Sequence, residues 1–113
     1  MAEVEIIDSL RKEVFKKFKG ESANVFKHMK SLEENPRKGK PLGVVAGILV
    51  KELKYKNFRF YFLVDGNKLK IFSEEELSDL LIKFVRMSDK KTQQKTIDEI
   101  RAVLLKIGLK DFE

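Results

Sequence analysis

The chain has 113 residues, 42% of them hydrophobic and 37% charged, with a formal net charge of +6; this length fits one domain with one core, and the apolar share excludes a disordered polymer. The absence of cysteine excludes disulfides, thiolate nucleophiles and thiolate zinc sites, and a single histidine, His28, argues against a metal site built on imidazoles. No apolar run approaches the ~18 residues that cross a bilayer, and Glu3 and Glu5 stand where a secretory leader carries positive charge, so a cytoplasmic protein with no membrane contact is expected.

Val4 to Ile7 is a short apolar stretch that fits a first strand or the start of a helix, since periodicity over four residues does not decide, and it is read as a strand. Asp8 or Ser9 then caps a helix with Leu10, Val14, Phe15 and Phe18 at helical spacing, ending near Gly20, which tolerates a left-handed cap. Ser22 opens a second helix with Val25, Phe26, Met29 and Leu32 on one face. It stops at Asn35-Pro36, because proline disfavours helix in the residue ahead of it. The two form a helical hairpin. Asn35 to Gly43 is basic, contains both prolines and reads as a loop.

Val44 to Lys56 and Phe58 to Val64 read as strands, rich in aromatic and β-branched residues, with Lys56-Asn57 as a tight turn between them. In the second, Phe58, Phe60, Phe62 and Val64 share one face while Arg59, Tyr61 and Leu63 share the other, the alternation of a sheet covered well on one side only. A turn at Asp65-Gly66-Asn67, a short strand from Lys68 to Phe72, an acidic insertion from Glu74 to Leu80 and a last strand from Leu81 to Met87 come next. Thr96-Ile97-Asp98-Glu99 matches a capping box. Ile97, Ile100, Val103, Leu104 and Ile107 then form the stripe of a closing helix that ends at Gly108. The expected fold class is α+β, an N-terminal helical hairpin packed on a small antiparallel β-sheet with a C-terminal helix.

The candidate chemistry lies in cations. Residues 44–73 carry six Lys/Arg against two Asp/Glu, and a basic face suits phosphate. His28 precedes core-facing Met29 and reads as a surface or half-buried helix residue; Glu74, Glu75, Glu76 and Asp79 read as a solvated acidic face. Gly43-Val44-Val45-Ala46-Gly47 lacks the lysine and spacing of a nucleotide-binding loop. There remain Lys51, Lys54, Lys56, Arg59, Lys83, Arg86, Lys90 and Lys91, on strands and at strand ends. Such groups can stabilise the charge that develops in phosphoryl transfer, and a lysine among like charges can act as acid or base. The same residues equally fit a Lys-rich sheet edge that discourages aggregation.

Three segments in order resemble the RelE/HigB-type toxins. Leu32-Glu33-Glu34-Asn35-Pro36-Arg37-Lys38-Gly39-Lys40-Pro41-Leu42 looks like that family's helix end and basic loop, and Phe58-Arg59-Phe60-Tyr61-Phe62 is similar to its central strand bearing an arginine. Leu81 to Lys91 followed by Thr92-Gln93-Gln94-Lys95-Thr96 resembles the HigB-like branch, where a strand with a basic end precedes a Lys/Thr/Gln-rich turn and a helix. The resemblance implies one RelE-like domain over residues 1–113. It implies a toxin of a toxin–antitoxin system, a metal-independent endoribonuclease acting on mRNA at the ribosome, with no cofactor, with an antitoxin protein as partner and with a homodimer left open. Arg59 would clamp the scissile phosphate, Arg86 would steady the transition state and Lys54 would act as acid or base, with Lys51 or Lys56 in its place if the strand register differs. Lys51, Lys56, Lys83, Lys90, Lys91, Arg37 and Lys38 would bind RNA. A tyrosine common in the family is replaced here by Phe62, and the alternative is a catalytically inactive module of the same fold that binds nucleic acid or protein. In a regular strand Arg86 shares parity with Ile82 and Phe84, which would aim it at the core face.

Overall fold

The computed structural model describes residues 3–65 and 81–106. The turn and strand expected from Asp65 to Phe72, the acidic insertion, and Ile107 with Gly108 lie wholly or largely outside those residues. In chain order, β1 (Glu3–Ile6) leads into α1 (Asp8–Phe18) and, through a 3-10 turn at Lys19–Glu21, α2 (Ser22–Lys30). The chain continues with β2 (Lys40–Val45), β3 (Ile48–Tyr55), β4 (Phe58–Asp65), β5 (Leu81–Asp89) and α3 (Gln93–Lys106). The fold is α+β. The sheet runs β1-β5-β4-β3-β2 and is mixed rather than wholly antiparallel, because β1 lies parallel to β5 while every other pairing is antiparallel.

The helical hairpin forms much as its apolar spacing dictates, with Leu10, Val14, Val25 and Met29 buried against the sheet. Its caps differ from expectation. Ile7 occupies the N-cap position of α1, with Asp8 in the first turn, where its charge favours the helix dipole. Lys19, not Gly20, takes the positive φ, at 48°, after the helix. Ser22 is buried, and its hydroxyl donates to the Val14 carbonyl at 3.3 Å, tying the two helices together.

The strand expected from Val44 to Lys56 is instead a hairpin. Ala46 and Gly47 both have positive φ, 51° and 81°, which turns the chain back in two residues and pairs Val45 with Ile48. β2 therefore begins at Lys40, inside the segment read as a loop. Pro41 is tolerated there because β2 is an edge strand, which needs no outward N–H. The remaining loop is pinned at Gly39, where φ is 109° and a Cβ would stand 2.8 Å from the Phe62 ring.

β4 is buried on both faces: Phe60, Tyr61 and Phe62 are each 0% exposed, and Leu63 and Val64 1%. Phe18 of α1 meets Phe58 edge-on at 5.1 Å on one face. α3 covers the other with Ile97, Ile100 and Leu104, so the expectation of a sheet covered on one side only does not hold. Burial of one such large side chain is worth about 1.5–3 kcal/mol.

β5 contains a bulge. Tyr61 pairs with Arg86 but Phe62 with Phe84, leaving Val85 as the extra residue. A bulge reverses the facing of every residue beyond it in the strand. Arg86 consequently shares the α3-facing side with Tyr61 and Arg59, although simple alternation would point it at the helical hairpin. α3 starts one turn earlier than the capping-box reading. Asp89 Oδ1 accepts from the Thr92 N–H at 2.9 Å and its hydroxyl at 3.0 Å, while Thr96 lies within the helix and donates to the Thr92 carbonyl.

Candidate nucleic-acid interface

β2 pairs with β3 only as far as Lys40 opposite Glu52, so among the described residues β3 from Leu53 to Tyr55 has no strand on its outer side. A cavity of about 570 Å³ lies there, lined by Lys38, Lys40, Glu52, Lys54, Arg59 and Gln93, with His28 of α2 at its wall. A second cavity, of about 420 Å³, shares Lys54 and Arg59 and continues past the β3–β4 turn to Lys56, Lys90 and Lys91. The two are adjoining halves of one groove in which cations outnumber carboxylates.

At the junction, Lys54 and Arg59 are directly opposite one another in the β3–β4 register. Like charges so placed cost stability. The offset comes from Glu52, whose Oε1 lies 3.1 Å from Arg59 Nε, with the two side chains 8% and 13% exposed. Gln93 of α3 donates to the same oxygen at 3.4 Å. Arg59 is thereby held in a fixed pose at the groove floor. Lys56 projects at the turn and pairs with Glu21 at 2.7 Å. That contact and the Tyr55 hydroxyl hold the Glu21 carboxyl below its usual range, and the same carboxylate raises Lys56 and Tyr55.

His28 enters from the helical side. Its Nε2 lies 3.1 Å from the Lys54 carbonyl oxygen, and its ring is 5.5 Å from that of Tyr55. Asp89, bonded to Thr92, is the carboxylate of the second half, and that bonding lowers its pKa from the usual aspartate range.

The structure thus brings Lys38, Lys54, Lys56, Arg59, Lys90 and Lys91 together. It separates the others. Lys51 is 4% exposed on the opposite face of the sheet, where its ammonium donates to the Arg37 carbonyl at 3.0 Å and lies 5.6 Å from the Phe62 ring. Burial, and to a lesser extent the nearby Arg37 charge, lowers its pKa. Lys51 therefore fastens the loop from beneath and is not on the RNA-facing surface expected for it. Arg37 is on that loop, and Lys83 is half-buried opposite Leu63 and Glu5.

Arg86 lines a different cavity, of about 490 Å³, between α1 and α3. Its Nε donates to Glu99 at 2.8 Å and its Nη1 to the Val85 carbonyl at 2.7 Å. Glu13 lines the same cavity, and burial raises its carboxyl above the usual range despite the Arg86 charge. Arg86, although on the same face of the sheet as Arg59, thus lines a different cavity from the groove that Arg59 lines.

Residues that sequence reasoning missed are Glu52, Lys40, Gln93 and His28. Parity with Lys54 on β3 was enough to place Glu52 beside the basic residues. Nothing local in α2 reveals that His28 reaches the sheet edge. Among the described residues no group of three or more His, Asp or Glu side chains is placed to hold a metal ion, and no helix is long and apolar enough to cross a membrane. Comparison with known proteins returned no matching family model, no matching curated protein and no matching solved structure.

Proposed function

We propose that this chain is a cytoplasmic RNA-cleaving toxin of the RelE/HigB type, a metal-independent endoribonuclease that acts on mRNA at the ribosome and is neutralised by an antitoxin protein. The observation that carries this reading is the opposed Lys54–Arg59 pair in an open, cation-lined groove. Glu52 neutralises only one of these two positive groups, and a phosphodiester would supply a further anion between them. Arg59, fixed by Glu52, holds the phosphate; Lys54 provides acid–base function. Lys38, Lys40, Lys90 and Lys91 track the backbone on either side. Arg86 has no part in the groove chemistry as proposed.

Expression of the chain without an antitoxin is expected to arrest growth, and purified protein to cut ribosome-bound message. Arg59→Ala should abolish both. Cells indifferent to expression, together with intact message after incubation, would sink this reading. A non-catalytic RNA-binding reading is favoured by one feature, the 13% exposure of Arg59 and its pairing with Glu52. On that reading Arg59→Ala weakens salt-sensitive binding while wild-type protein yields no cleavage product.

A further inference from the structure

We infer that His28 is the base that removes the ribose 2′-hydroxyl proton in this groove; the inference rests on the ribonuclease reading above. α2 brings the imidazole to the stretch of β3 that β2 leaves unpaired, into the cavity shared by Lys54 and Arg59. A carbonyl oxygen only accepts, so the 3.1 Å contact with the Lys54 carbonyl puts the ring proton on Nε2. In the neutral ring Nδ1 is then the basic nitrogen, and no hydrogen bond among the described residues occupies it. A base whose far nitrogen is oriented by a fixed acceptor is the arrangement that general-base catalysis uses. The Tyr55 ring at 5.5 Å limits the rotation of the imidazole.

The charged groups facing His28 across the cavity are Lys38, Lys40, Lys54 and Arg59, with the Glu52 carboxylate among them; Lys27 neighbours it on α2. The balance attracts a phosphate to the imidazole. In the reaction the 2′-oxygen attacks phosphorus, the P–O2′ bond forms and the P–O5′ bond breaks. The hydroxyl proton passes to Nδ1 of His28, and the Lys54 ammonium gives a proton to the departing 5′-oxygen. The products are a 2′,3′-cyclic phosphate and a 5′-hydroxyl, with no net redox change. Solvent returns the proton from His28 to Lys54.

The test uses the full chain with ribosome-bound message and with an RNA oligonucleotide, under single-turnover conditions across pH. His28→Gln keeps an N–H donor for the Lys54 carbonyl but has no basic nitrogen. It is expected to slow cleavage by about 10²–10⁴-fold, leave affinity for a 2′-O-methyl oligonucleotide unchanged at alkaline pH, and flatten the acid limb of the cleavage pH profile. Because His28 is the sole histidine, its imidazole resonance can be followed in the untagged wild-type protein. The midpoint of its titration should move when the 2′-O-methyl oligonucleotide binds. Cleavage by H28Q at the wild-type rate with an unchanged pH profile overturns the inference alone, as does an imidazole titration unmoved at saturating oligonucleotide. A wild-type protein that binds RNA but never cuts it overturns the ribonuclease reading, and the inference with it.

Discussion

Tyr61 shows how the core accommodates polar atoms beside the groove. The residue is 0% exposed, and its hydroxyl is satisfied by Ser88 Oγ at 2.8 Å, one strand across. Ser88→Ala leaves that hydroxyl buried without a partner and Tyr61→Phe does the same to the buried Ser88 hydroxyl, so each should cost about 1–3 kcal/mol, whereas replacing both together should cost less than the sum of the two. Thermal unfolding checks this, since each kcal/mol moves Tm by about 4–8 °C in a domain of this size; equal Tm values for Ser88→Ala and wild type would refute it. Asp89 makes a pH-dependent contribution at the start of α3. Its hydrogen bonds to Thr92 lower the folded-state pKa, so the stabilisation is complete above the unfolded value of about 3.9 and is lost as pH falls through the folded one. Acid titration followed by NMR should loosen the first turn of α3 in wild type. Asp89→Asn should remove that acid transition.

Elements whose signal is local were legible in the sequence. α1, α2 and β4 come from apolar spacing, and β1 from a short apolar stretch ahead of the first helix. What was lost depended on backbone detail or on tertiary position. The turn at Ala46-Gly47 lacks the Asn or Asp that usually marks a two-residue hairpin and sits in a β-branched run, so two strands read as one. Alternation counting presumes an unbroken register, so it hides the Val85 bulge and leaves the facing of Arg86 at odds with a place on the polar side. Docking of α3 on the sheet's second face, like the reach of His28 to the edge of β3, is set by packing between elements distant in sequence. The Ala46 turn carries its own prediction. An alanine at φ 51° is strained where asparagine is at ease. Ala46→Asn should raise stability by about 1 kcal/mol without altering RNA binding, read by chemical denaturation and fluorescence anisotropy; a lower denaturation midpoint would contradict the turn geometry.

For the whole molecule, the decisive property is where the charge of +6 is placed. Lys54, Arg59, Lys90 and Lys91 come from two strands and the turn after β5 yet line one groove, whereas Lys51 and Arg86 are held elsewhere by the fold. On the function proposed above, affinity for RNA should fall steeply between about 50 and 200 mM salt, with a slope of about 0.7 per phosphate neutralised on a single strand. Lys90→Ala and Lys91→Ala should each make that slope shallower. Lys83→Ala, outside the groove, should leave it unchanged. A slope identical in all three variants would place the RNA on another surface.

The early end of the β2 ladder has one more consequence. A strand with an unclaimed edge invites a strand from another molecule, and natural sheets guard such edges. Here the Lys54 carbonyl is already taken by His28, and Lys38 and Lys40 line the cavity beside it. With that carbonyl occupied by the imidazole, this stretch of β3 offers one acceptor fewer to a strand from another copy, so His28→Ala should leave the edge more prone to pairing, read as a rise in light scattering on storage.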